Sequence, residues 1–235
     1  MSLETPNPEV KVGPGYDRIM LVESPDSELW QQSVELEYEV FHEAEYVDAR
    51  SELEDEYRPY EARSKFISIT RQGMLAGSTR LIDPSDDGFK TIKDAKAGKL
   101  TIDEGGWSVL QGYDLTRDGF EVGTLAVPPD LRTGPFDSLS VSASLYAGIT
   151  GYSGVLAERL GRDKRGFVIA SFDEKYLEGF KDAFGESVYL LGPSQEYMGS
   201  KTTPVLIDVD KLLDDNHKGL TPMLLGLAGI LETNE

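Results

Sequence analysis

The chain contains no cysteine and two histidines, His42 and His217, far apart in sequence. Disulfides, thiolate metal sites and a cysteine nucleophile are therefore excluded, and too few ligands remain for a histidine zinc site, so no metal is expected. The chemistry open to it rests on carboxylates, tyrosines and a few cations. Residues 35–61 hold 11 acidic and 2 basic side chains, which places −9 of the formal net charge of −19 in 27 residues. A run of this kind is either a solvated helical face or a rim that holds a cationic, amine-bearing molecule. Arg159, Arg162, Lys164 and Arg165 form a basic cluster at the end of a long apolar helical pattern. They either cap that helix with favourable charge or dock phosphates or an acidic partner. Glu121 opens an apolar strand pattern and Arg80 sits in another. A carboxylate there is either paired with such a cation or free to take a proton, and a buried pair would keep it ionised. Tyr176 and Tyr197 are further proton donors, although tyrosine in an amphipathic segment is usually core.

These residues need a framework, and 235 residues with 39% hydrophobic and 28% charged side chains suffice for one large α/β domain with a real core. Residues 1–15, with three prolines and two glycines, read as a flexible lead-in. Strands are expected at 16–22, 66–70, 76–82, 120–127, 167–172, 188–191 and 204–209, with Gln72-Gly73 as a hairpin turn. A first helix starts at Ser24-Pro25 and spaces Trp30, Val34, Tyr38 and Phe41 as one buried stripe, followed by room for a second helix. Later helices span 137–160, 173–184 and 211–213, and residues 216–235 form an apolar tail. Residues 84–118 are long for a connection and read as a flap or inserted element. No apolar run approaches a membrane span, and the N-terminus lacks the basic and apolar regions of a signal peptide. The acidic charge opposes broad nucleic-acid binding. The expectation is a soluble, acidic, cytosolic protein.

The order of elements, and the segment Leu125-Ala126-Val127-Pro128-Pro129-Asp130-Leu131-Arg132, resemble the GNAT acyltransferases, whose strand-and-loop signature reads L-A-V-x-P-x-x-R. Gly77-Ser78-Thr79-Arg80-Leu81, Glu121 opening the fourth strand, and Leu191-Gly192 with Tyr197-Met198-Gly199 are similar to one branch. That branch contains the autoinducer synthases and the FeeM-like N-acyl amino acid synthases. Over residues 16–215 the resemblance implies a GNAT-like domain. Its central twisted sheet would be mixed but mostly antiparallel, with about seven strands flanked by helices.

The resemblance further implies transfer of a fatty acyl group from a pantetheine thioester, acyl-CoA or an acyl carrier protein, to a primary amine such as an amino acid. Glu121 would act as base or ammonium holder, with Arg80 as its partner or as a ligand for a substrate carboxylate. Backbone at Leu125, Ala126 and Val127 would meet pantetheine and the thioester carbonyl, and Arg132, Thr133 and Gly134 the donor phosphates. Arg159, Arg162, Lys164 and Arg165 would dock the carrier or the CoA phosphates. Trp30, Trp107 and the apolar tail would be either acyl-channel lining or plain core. Two departures bear on the acceptor: Glu37 and Thr124 stand where homoserine-lactone synthases carry arginines. An unusual loop, Thr133-Gly134-Pro135-Phe136-Asp137, replaces the usual glycine-rich phosphate grip. The rival readings are a homoserine-lactone-type autoinducer synthase and a non-catalytic binder of acyl thioesters or proteins.

Overall fold

The computed structural model describes residues 9–10, 18–132, 141–161 and 165–214. Nine strands among them form one sheet: β1 (Glu9–Val10), β2 (Arg18–Val22), β3 (Ser64–Arg71), β4 (Met74–Ile82), β5 (Gly119–Ala126), β6 (Phe167–Asp173), β7 (Val188–Leu190), β8 (Gln195–Tyr197) and β9 (Ser200–Asp208). The spatial order is β1-β2-β3-β4-β5-β6-β9-β7, with β8 folded onto β9. The pairings are antiparallel except β5 with β6. The sheet exceeds the expected seven strands by two short ones, β1 and β8, of 2 and 3 residues. Neither is long enough to leave a period-two pattern in the sequence.

Eight α-helices flank the sheet among the described residues: α1 (Glu28–Glu43), α2 (Arg50–Tyr57), α3 (Lys90–Lys96), α4 (Glu104–Leu110), α5 (Pro129–Arg132), α6 (Val141–Leu160), α7 (Glu174–Phe184) and α8 (Val209–Asp214). Alternation along β3 sorts the two faces. Ile67 and Ile69 join the core under α6, α7 and α8, whereas Phe66 packs edge-on against Trp30 of α1. On β6, Val168 and Ala170 face the α6 side while Phe167 and Ile169 meet α3 and α4. Gly77 permits close approach of α6: a Cβ there would lie 2.4 Å from Val141 Cγ1.

Several local expectations change. The first helix is capped by Ser27, whose hydroxyl accepts from Trp30 N at 3.2 Å, and Pro25 lies in the turn before it. The deeply buried residues of α1 are Trp30, Ser33, Leu36, Glu37 and Val40, leaving Val34, Tyr38 and Phe41 at half burial. Residues 84–118 carry α3 and α4, which cover the sheet through Phe89, Ile92, Ile102 and Leu110. β9 begins at Ser200 and runs through Pro204, whose carbonyl accepts from Leu191 N at 2.9 Å. The expected turn holds, with Gln72 at φ 52 and Gly73 at φ 77 joining Arg71 to Met74.

Candidate active site

β5 and β6 share four rungs, from Gly119 opposite Phe167 to Val122 opposite Ala170. Beyond these they separate: β5 continues to Ala126 on β4 alone, and β6 to Asp173 on β9 alone. The wedge between them opens into a cavity of about 600 Å³, within the usual range for small-molecule sites. Its apolar wall includes Leu125, Val127, Tyr146, Phe172 and Phe180, and its polar end Thr91, Glu121, Ser171 and Tyr197. Trp30 and Trp107 are not among the lining residues; they pack in the core on the α1 and α4 sides.

A bulge sets which side chains share the sheet face beneath α1 and α3. The β4–β5 register shifts between Arg80 and Leu81, opposite Thr124 and Val122, so Gly123 is the extra residue. Glu121 and Thr124, three apart, thereby both turn toward the α1 and α3 layer. Glu121 is 2% exposed. Its Oε1 accepts from Thr91 N at 3.0 Å and from Thr91 Oγ1 at 2.7 Å, and Thr91 Oγ1 lies 3.1 Å from Ser171 Oγ. Its Oε2 is buried without a hydrogen-bond partner. Burial pushes the Glu121 carboxyl above its ordinary range, opposed by the Thr91 hydroxyl and the Lys90 charge.

Lys90 is also 2% exposed. Its Nζ reaches Glu56 and Asp94 at 2.6 Å each and also donates to the Tyr197 hydroxyl, which in turn donates to Asp94. The Tyr197 proton is held tightly: burial, then Asp94, raise its pKa far above the ordinary phenol value. Met198 at φ 48 and Gly199 at φ 76 form the two-residue turn that returns β8 to β9 and places Tyr197 there. A Cβ on Gly199 would lie 2.6 Å from Tyr46 Cα. The cluster joins two segments that the sequence leaves unlinked, the 84–118 stretch and the Tyr-Met-Gly motif. Its faint signal is Lys90 and Asp94 at i, i+4 on either side of Ile92.

Arg80 lies elsewhere than beside Glu121. It is 4% exposed and grips Glu37 with two bonds, Nε to Oε1 at 3.0 Å and Nη2 to Oε2 at 2.5 Å. The Thr124 hydroxyl donates to the same Glu37 Oε1. The guanidinium stacks 5.0 Å from the Tyr57 ring and 4.6 Å from that of Phe66, and Tyr57 Oη donates to Gly123 O at 2.6 Å. Glu37 and Thr124, noted in sequence as separate departures, form one buried cluster that walls the cavity.

Leu125 and Val127 line the cavity, and Ala126 is buried against Leu36 and Val40. Arg132 stands at the rim, its Nε on Val127 O at 2.8 Å and its Nη2 on Glu43 at 2.9 Å. Thr133 and Gly134 lie outside the described residues, as do Arg162, Lys164 and the 216–235 tail. Arg159 is exposed, and Arg165 pairs with buried Asp208 and donates to Tyr113 Oη at 3.2 Å. The acidic run divides: Glu35 and Glu54 bind Arg50 on the surface, whereas Glu37, Glu43 and Glu56 are drawn into the site and its surroundings.

A mixed sheet that splits at its parallel pair, with helices on both faces, is the GNAT-like architecture that the motifs imply. Known structures agree on that fold. The acyl-homoserine-lactone synthase LasI matches with a TM-score of 0.53 at 13% identity, over 81% of this chain and 89% of LasI. FeeM, an N-acyl amino acid synthase from uncultured soil microbes, matches with a TM-score of 0.50 at 14% identity, over 77% of this chain and 85% of FeeM. BjaI, a CoA-dependent acyl-homoserine-lactone synthase solved with SAM and isopentyl-CoA, matches with a TM-score of 0.50 at 16% identity, over 89% of this chain and 88% of BjaI. No family model matches the chain, and no curated protein is similar to it in sequence. Among the described residues no helix is long and apolar enough to cross a membrane.

Proposed function

We propose that residues 16–215 form an N-acyltransferase that moves a fatty acyl group from a pantetheine thioester, carried by CoA or an acyl carrier protein, to a primary amine. The observation that carries this reading is Glu121 at the head of the wedge, one oxygen fixed by Thr91 and the other buried and unbonded beside an apolar cavity. Buried polar oxygens are nearly always bonded, so an unfilled one in a cavity marks a place for a ligand's donor.

In this reading pantetheine lies along residues 123–126, the part of β5 that β6 has left, and the acyl chain runs between Tyr146, Phe172 and Phe180. The acceptor arrives as an ammonium ion and bonds Glu121 Oε2. Glu121, its pKa raised by burial and its basicity with it, removes one proton. The amine then attacks the thioester carbonyl, whose oxygen takes a backbone N–H of residues 125–127. Collapse breaks the C–S bond as the C–N bond is kept. Of the two protons the nitrogen loses, one leaves on the thiol and one passes through Glu121 to solvent. Arg132 at the rim meets the donor's phosphates, and exposed Arg159 and Arg165 offer charge to a carrier protein. Arg80 acts through Glu37 and Thr124 on the shape of β5.

Thermal unfolding with free CoA and with acyl-CoAs from acetyl to palmitoyl tests this reading. Ligand at about 100 times its Kd stabilises the folded state by roughly 2.7 kcal/mol, a rise on the order of 5–10 °C for a chain of this size. A shift that grows with chain length is expected. No shift with any thioester, and none with acylated carrier protein, would refute the donor site.

A further inference from the structure

Resting on that acyltransferase reading, we propose that the acceptor is a primary amine that carries no carboxylate: an alkyl-, aryl- or polyamine and not an amino acid. The argument is the charge inventory of the cavity. Among the described residues three cations line it, Lys90, Arg132 and Lys175. Each already faces a carboxylate of the protein: Lys90 lies 2.6 Å from both Glu56 and Asp94, Arg132 2.9 Å from Glu43, and Lys175 3.6 Å from Asp173. The nearby Arg80 is committed to Glu37. Of the three carboxylates that line the cavity, Glu43 and Asp173 are two of these partners, and Glu121 is left over. Lys99, 3.7 Å from Glu56 and 3.5 Å from Asp94, offsets the second of Lys90's two partners, so the surplus is one negative charge, on the residue whose second oxygen has no bond.

A simple ammonium group cancels that surplus and fills the empty bond. An amino acid brings its carboxylate on the neighbouring carbon, into the same space, where each lining cation of the described residues already faces a protein carboxylate and Glu121 repels it. A buried charge without a partner is among the costliest arrangements in a protein. Lys90 is poorly placed to change partners, being 2% exposed with bonds to Glu56, Asp94 and Tyr197. Arg132 at the rim is the cation that the donor's phosphates would claim. The net charge of −19 adds a field that enriches cations near the surface.

The test uses matched pairs that differ only in the carboxylate: tyramine and tyrosine, phenethylamine and phenylalanine, cadaverine and lysine. Each pair competes for a long-chain acyl-CoA, with amide products counted by mass spectrometry. In parallel, calorimetry measures binding of the same compounds to the CoA-loaded protein without turnover. The amine of at least one pair should be favoured about tenfold or more in both assays. Equal or better use of the amino acids overturns the inference and leaves acyl transfer standing, and binding of neither member overturns it as well. Amines that bind where amino acids do not, with no amide from any pair, would support the charge argument and sink the acyltransferase reading alone.

Discussion

Glu37 and Glu121 are both buried carboxylates against the same face of the sheet, and they differ in how much of each the protein itself fills. Both Glu37 oxygens are occupied, Oε1 by Arg80 and Thr124 and Oε2 by Arg80. Glu121 has one oxygen doubly occupied by Thr91 and the other empty. A saturated buried ion pair fixes geometry, here the bulged course of β5 beside Tyr57. A half-satisfied one is costly to the fold and is retained where a ligand completes it. Sequence cannot separate the two roles, because Glu37 reads as one more member of the acidic run 35–61 and Glu121 as a lone glutamate in an apolar strand.

The comparison can be broken first at the saturated site. Arg80→Met leaves Glu37 as an unpaired buried charge and should cost about 3–5 kcal/mol, seen as loss of the folded baseline or a large fall in urea midpoint. A loss under about 1 kcal/mol would show that the pair does not hold the wall. Thr91→Val acts on the half-filled site with a smaller effect. It removes a charge-assisted hydrogen bond of roughly 1.5–3 kcal/mol that favours the ionised Glu121. The Glu121 pKa then rises further, so the acid limb of kcat/KM should move to higher pH while the high-pH plateau is retained. An unmoved limb would remove Thr91 as the positioning residue.

Gly199→Ala presses on the turn that delivers Tyr197. At φ 76 with Tyr46 backbone at 2.6 Å, any side chain is strained, and roughly 1–3 kcal/mol of stability should be lost. Glu121→Gln should do the reverse. A carboxyl whose folded pKa is raised binds protons more tightly folded than unfolded, so stability falls as pH rises from the unfolded value toward the folded one. The Gln variant should therefore unfold at a higher temperature than the parent at pH 7, and the gap should close as pH falls below the ordinary carboxylate range. A Gln variant less stable at pH 7 would mean that Glu121 is held charged for structure.

Much of this fold was legible in the residues. Short apolar runs between turn signals marked seven strands, the Gln72-Gly73 pair marked the hairpin, and the fully apolar 167–172 run among them marked a central strand, where β6 lies between β5 and β9. The candidate site was legible only in outline. Glu121 and the 125–127 stretch are local to one strand, and one strand can be read from sequence. Thr91 and Lys90 reach the cavity, with Asp94 behind Lys90, through a tertiary contact from a segment whose short helices carry weak periodicity. The expected Arg80–Glu121 pair gives way to Arg80–Glu37 because Gly123 bulges β5 and because Glu37 lies on the buried stripe of α1, which spacing alone assigned to Val34 and Tyr38. The Tyr-Met-Gly motif was visible as letters, and its reason, two successive residues at positive φ, belongs to the turn.

The most direct test of the central claim, that the empty oxygen of Glu121 receives the acceptor's nitrogen, compares parent and Glu121→Gln for amide formation from one long-chain acyl-CoA and one primary amine. Thioester binding is measured on the same samples. The account predicts unchanged thioester affinity with turnover reduced by about 10²–10⁴-fold, the usual size of a general-base contribution. Turnover that survives the substitution unchanged would contradict it.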